Sequence, residues 1–161
     1  SPWYALRTRS RHEKFTTTHL KHAGFRVFLP LVTRVRQWKD RRVHVDFPLF
    51  PGYCFVRCEE TEFRQLRSTP GAVGLVGTAG TPVPVPDEQV EAVWKLVSST
   101  LPYDPVPTLE PGMRVRVTRG PLADVEGILI RKEPRARLVI AIDLLHQGAA
   151  LDIDAHDIEP A

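Results

Sequence analysis

The stretch Leu101-Pro102-Tyr103-Asp104-Pro105-Val106-Pro107-Thr108-Leu109-Glu110-Pro111-Gly112 decides how the rest of the chain is read. Four prolines in ten residues cannot continue a helix or lie in a central strand. The spacing predicts a semi-extended linker over 101–110, rising about 3 Å per residue. It falls where the charge changes sign. Residues 1–100 carry a formal +6 and residues 101–161 a formal −3, within a net +3 for the 161 residues. Residues 1–57 alone carry +9. The expectation is two units with different partners, 1–100 and 111–161, the first facing a polyanion. With 42% apolar and 25% charged residues, the composition is globular and not disordered. No apolar run approaches the roughly 20 residues that span a bilayer. The N-terminal residues lack the apolar segment of a signal peptide, so no membrane partner and a cytoplasmic location are expected.

Upstream of the linker the pattern mixes strands and helices. Trp3-Tyr4-Ala5-Leu6-Arg7-Thr8 has strand character. Ser10-Arg11-His12-Glu13 fits a capping box, predicting a helix over 11–23 that Gly24 ends as a left-handed cap. Thr16-Thr17-Thr18 is poor in helix propensity and needs tertiary support. Phe25 to Leu29 reads as a strand. Arg34, Arg36, Lys39, Arg41 and Arg42 surround Trp38 in a basic β-hairpin with its tip near Lys39–Arg41. Phe47 to Arg57 is an interrupted apolar strand, and Glu59 to Arg67 a short helix acidic in its first turn. Asp87 is a candidate N-cap for a third helix, with Val90, Val93, Trp94 and Val97 as its apolar stripe.

Downstream, Met113–Thr118, Ile128–Arg131, Leu138–Ile142 and Leu151–Ile153 are short strands separated by turns at Gly120-Pro121, Pro134-Arg135 and Gln147-Gly148. About fifty residues in four or five strands suit a small SH3-like barrel.

Motifs for chemistry are missing from the sequence. It contains no GxxxxGKS/T, no GxGxxG and no HExxH. Cys54 and Cys58 on one strand would lie about 13 Å apart, too far for a disulfide, and are expected to be reduced. His19 and His22 share a helix face without a carboxylate at ligand spacing, so they read as solvated histidines. Asp152 and Asp154 alternate with Leu151 and Ile153, the pattern of a strand's wet face and not of a nuclease centre. Ser98-Ser99 has no base at readable spacing. No catalytic residue, metal or cofactor is expected.

Four segments stand out in order: Trp3-Tyr4 before a helix; Phe47-Pro48-Leu49-Phe50-Pro51-Gly52-Tyr53-Cys54-Phe55-Val56; Arg67-Ser68-Thr69-Pro70-Gly71-Ala72-Val73-Gly74-Leu75-Val76-Gly77; and Pro111-Gly112-Met113-Arg114-Val115-Arg116-Val117 followed by Gly120-Pro121-Leu122-Ala123-Asp124-Val125-Glu126-Gly127-Ile128-Leu129. Together they resemble the NusG family of transcription elongation factors over essentially the whole chain. The resemblance implies an α+β protein: an α/β sandwich with an antiparallel sheet and flanking helices, then a KOW domain with an SH3-like barrel.

It also implies an RNA polymerase partner, contacted on both sides of its cleft. Phe50, Pro51, Tyr53 and Phe55, with Val90, Val93 and Val97, match the apolar depression that receives the clamp helices of the largest subunit. Phe50 is the expected exposed anchor. Glu62, Phe63 and Arg64 fall where the family meets the opposing large subunit. Arg9, Arg11, Lys14, His19, Lys21 and His22 would face non-template DNA, and Arg34, Arg36, Lys39, Arg41 and Arg42 upstream DNA. Leu144, Leu145 and His146 match the KOW loop that binds the termination factor Rho or a small-subunit ribosomal protein. The Pro-Leu-Phe-Pro-Gly-Tyr run and short linker look like specialised antiterminators of the RfaH and UpxY type, acting as monomers. The alternative is a ribosome-associated or RNA-binding KOW protein without polymerase contact, for which Arg131, Lys132, Arg135 and Arg137 would supply the charge.

Overall fold

In the computed structural model, which describes residues 1–132 and 135–161, the first strand, β1 (Trp3–Thr8), is buried at every position except Arg7. Burial on both faces makes it a central strand. The helix α1 (Glu13–His22) follows, starting two residues later than the capping box predicts. Arg11 turns the chain at φ 63°, and the Ser10 hydroxyl does not cap the helix. Glu13 is committed elsewhere: its buried Oε2 accepts the Gly52 amide at 2.8 Å. The C-terminus follows expectation. The Phe25 amide donates to Leu20 O and the Gly24 amide to Lys21 O, both at 3.0 Å, with Gly24 at φ +90°. This paired closure needs the left-handed glycine. The weak threonine run is held by packing, since Thr16 and Thr17 are buried and donate to Pro70 O and Glu13 O.

Strands β2 (Arg26–Phe28), β3 (Leu31–Trp38), β4 (Arg41–Pro48) and β5 (Tyr53–Arg57) come next. A short 3-10 turn, Glu60–Glu62, leads into α2 (Phe63–Arg67), and β6 (Ala72–Leu75) completes the sheet. The order is β2-β5-β1-β6, all antiparallel, with Leu6 opposite Cys54 and Leu75. One face packs Tyr4, Leu6, Cys54 and Val56 with Leu20 and Leu66 from the helices. On the other, Phe55 meets Phe28 and Phe50 at ring separations of 6.1 and 5.8 Å. Strands β3 and β4 pair only with each other, and so do the two-residue strands β7 (Gly77–Thr78) and β8 (Thr81–Pro82).

The helix α3 (Asp87–Ser98) begins one residue earlier than an Asp87 N-cap requires, with Pro86 at the cap position. Its buried residues are Val90, Ala92, Val93 and Leu96, while Trp94 is exposed, so the apolar face is rotated from the expected stripe. After α3 come β9 (Asp104–Val106), β10 (Met113–Val117), β11 (Glu126–Lys132), β12 (Arg135–Ile142), β13 (Gln147–Ile153) and β14 (Ile158–Pro160). They form one antiparallel sheet ordered β14-β10-β11-β12-β13-β9. The proline-rich stretch therefore contributes structure: Pro105 lies opposite Ala149 in an edge strand, the one sheet position that tolerates a missing donor. At Gly127 two strands approach closely. A Cβ there would lie 2.7 Å from Leu138 Cδ1 and from Val139 O.

Compact packing divides the chain into residues 1–84 and 85–161. The third helix, grouped with the first unit by the sequence reading, falls in the second and packs on β12. The turn expected at Pro134 lies outside the described residues, as do the side chains of Arg131 and Lys132.

Candidate functional site

All eleven residues expected to face DNA are exposed: Arg9, Arg11, Lys14, His19, Lys21 and His22 along β1's exit and α1, and Arg34, Arg36, Lys39, Arg41 and Arg42 on the hairpin. Charge at these exposed positions costs little desolvation in the free protein.

The apolar candidates divide differently. Phe50, expected as an exposed anchor, is 1% exposed and edge-on to Phe55. Phe55, Val90 and Val93 are buried too. A side chain closed inside its own core offers no surface, so Phe50 and these three are corrected to structural residues. Pro51 is exposed, and Tyr53 and Val97 are half-buried. Glu62 and Phe63 are half-buried and occupied: Glu62 Oε1 accepts the Glu59 amide at 2.9 Å, and Phe63 stands edge-on to Tyr4 at 5.0 Å. Arg64 is exposed.

Pro51, Tyr53, Arg11 and Lys14 come together around one open cleft of about 610 Å³ in the first unit. Its other walls include Arg7, Phe47 and Pro48. Lys14 Nζ donates to Asp46 O at 3.2 Å, tying α1 to the base of the hairpin across this cleft. Buried Glu13 holds the Gly52 amide, which orients the Pro51-Gly52-Tyr53 turn. The cleft thus joins an apolar lip to three cations. Sequence reasoning missed Arg7 and Phe47. A lone arginine in an otherwise buried strand was the available signal for Arg7.

A third missed residue is Phe15, 48% exposed on α1. The rings of His12 and His19 stand edge-on to it at 5.7 and 4.6 Å. His19 therefore partners Phe15 at i−4, not His22. Among the described residues no group of three or more His, Cys, Asp or Glu could hold a metal ion.

In the second unit the expected partner loop forms a 3-10 turn, Asp143–Leu145, closed by His146 at φ 53°. Leu145 is buried and is corrected to a core residue; Leu144 is half-buried and His146 exposed. Asp143 and Gln89 of α3 exchange two hydrogen bonds: Gln89 Nε2 donates to Asp143 Oδ2 at 2.9 Å, and the Asp143 amide donates to Gln89 Oε1 at 3.1 Å. Two residues of the expected basic group are engaged with acids. Arg137 lies between Asp104 and Asp152 at 3.3 and 3.2 Å, and Arg135 is 3.6 Å from Asp152. Asp154 caps the next 3-10 turn, and the His156 amide and ring hold its carboxyl below the usual carboxylate range.

A family model described as transcription termination factor nusG matches residues 1–94, more than half of the chain. The chain belongs to the NusG family. Members of the NusG family are transcription factors and not enzymes. The transcription termination/antitermination protein NusG of Pseudomonas aeruginosa is 28% identical over 173 residues, covering 98% of this chain and 97% of that protein. NusG of Deinococcus radiodurans is 28% identical over 182 residues, covering 94% and 95%. NusG of Escherichia coli K12 is 28% identical over 135 residues, covering 81% and 74%. A solved structure described as domain interaction in Thermotoga maritima NusG superposes with a TM-score of 0.56 at 22% identity, covering 99% of this chain and 96% of that one. That likeness shows a NusG-like fold. No helix among the described residues is long and apolar enough to cross a membrane.

Proposed function

We propose that this NusG-family chain is a transcription elongation and antitermination factor that bridges the cleft of RNA polymerase. The match of residues 1–94 to the family carries this reading. In it, residues 1–100 act as the polymerase-binding domain and 111–161 as a KOW domain with an SH3-like barrel. The clamp helices of the largest subunit meet the lip of the cleft at Pro51 and Tyr53, and Arg64 approaches the opposing large subunit. Non-template and upstream DNA run along α1 and the hairpin. Leu144 and His146 offer the contact for Rho or a small-subunit ribosomal protein. The role is that of an operon-specific paralogue of the RfaH and UpxY type, cytoplasmic and monomeric. The mechanism is differential binding: a factor that binds the closed cleft better than the opened, paused state shifts polymerase toward elongation by that difference.

The test is a pull-down with core RNA polymerase, followed by transcription on a long template carrying pause and termination sites. Wild type is expected to bind and to raise read-through. Tyr53→Ala is expected to weaken binding about tenfold while the fold persists, as for an aromatic anchor at an interface. Phe50→Ala is unsuitable as a probe: removing a buried Phe costs about 3–5 kcal/mol of stability. Failure of intact protein to bind polymerase would overturn the proposal. Binding without any change in pausing or termination would overturn its antitermination part.

A further inference from the structure

The β3–β4 hairpin has two unlike faces. Opposed residues in an antiparallel pair share a face, and alternate residues change face. The register pairs Trp38 with Arg41, Arg36 with Val43, Arg34 with Val45 and Val32 with Phe47. One face therefore carries Trp38 and three arginines, with valines between them and no acid. The opposite face pairs Gln37 with Arg42, Val35 with His44 and Thr33 with Asp46, and Thr33 Oγ1 donates to Asp46 Oδ1 at 2.6 Å. There the single arginine is balanced by an aspartate. The charge asymmetry belongs to one face and not to the hairpin as a whole.

Trp38 is 62% exposed, more than any other large hydrophobic residue among those described. It sits in the last pair before the turn, where Lys39 takes φ 52°. Arg36 is held in place: its guanidinium lies 4.8 Å over the Phe47 ring. Alternate residues on a strand are about 6.7 Å apart, a stride comparable to that of phosphates along an extended single strand. Arg34, Arg36 and Trp38 follow at that stride.

We infer that this face binds single-stranded DNA, with an unstacked base on the Trp38 indole beside Arg41 and the adjoining phosphates on Arg36 and Arg34. An aromatic platform flanked by a cationic track is how sequence-tolerant single-strand binding is built. A duplex keeps its base faces stacked and offers the indole nothing. The proposal deepens the DNA contact of the proposed function, but it rests on the hairpin's geometry and requires no polymerase.

The test uses intact protein without polymerase and a fluorescein-labelled oligothymidylate, read by anisotropy across a salt series. A duplex of equal length serves as competitor. Trp38→Ala is expected to weaken binding about tenfold, and Trp38→Phe to restore most of it. Arg36→Ala is expected to lower the slope against log salt by about 0.7, the share of one single-strand phosphate. Trp94→Ala, exposed on α3, should bind as wild type does. Thermal melts confirm folding, since none of these positions is buried. Wild-type affinity in Trp38→Ala, equal competition by duplex, or an equal loss in Trp94→Ala would each overturn the inference. Oligonucleotide binding that persists while the polymerase pull-down fails would retain this inference and reject the proposed function.

Discussion

Cys54 and Cys58 show how burial sets chemistry at a single residue. Both thiols are free and buried. Burial pushes Cys54 from its ordinary 9.0 up to about 12, and Cys58 up to about 11, with Glu62 and Glu59 adding to the second. The unfolded chain releases these protons above pH 9, while the folded chain still holds them. Native protein therefore binds more protons than unfolded protein between pH 9 and 11, and stability falls as pH rises through that window. Urea midpoints measured from pH 7 to 10.5 should be flat below 9 and drop above it, and the Cys54→Ser/Cys58→Ser variant should lose much of that drop. Their reduced state was legible from spacing alone. Whether Phe50 and Leu145 point outward was not. Both sit in irregular segments, where no periodicity assigns a face.

At the level of elements, local signals held where the interaction is local. Gly24 ends α1 because only six residues take part in that closure. The hairpin turn falls at Lys39 because β-branched and aromatic residues flank it. The start of α1 moved because Glu13 found a partner 39 residues away. Helix α3 forms where the apolar spacing predicts a helix but turns Trp94 outward, since β12 covers another side. Gln89→Ala removes both hydrogen bonds that tie α3 to Asp143. Each such bond contributes about 1 kcal/mol or less at this exposure, so amide exchange in the first turns of α3 should speed up about fivefold. Unchanged exchange would mean the pair adds nothing to the docking of the helix.

Across the whole molecule, the net +3 is the sum of an exposed cationic surface in one unit and an acid-neutralised sheet in the other. The compact second unit starts at Val85, well before the proline-rich stretch. A fragment of residues 85–161 keeps β9 on the sheet edge and α3 over β12, whereas residues 111–161 lose both. The longer fragment is expected to melt higher, and equal melting temperatures would show that α3 and β9 add no stability. The sequence by itself determined the mix of strands and helices, the charge division, the absence of catalytic motifs and the NusG resemblance. All of these rest on neighbouring residues or on composition. Only the tertiary structure decided that Phe50 is core, that Arg7 and Tyr53 share a cleft and that Pro105 lies in an edge strand. Those outcomes depend on which distant element covers a side chain, and burial by a distant partner leaves no local pattern.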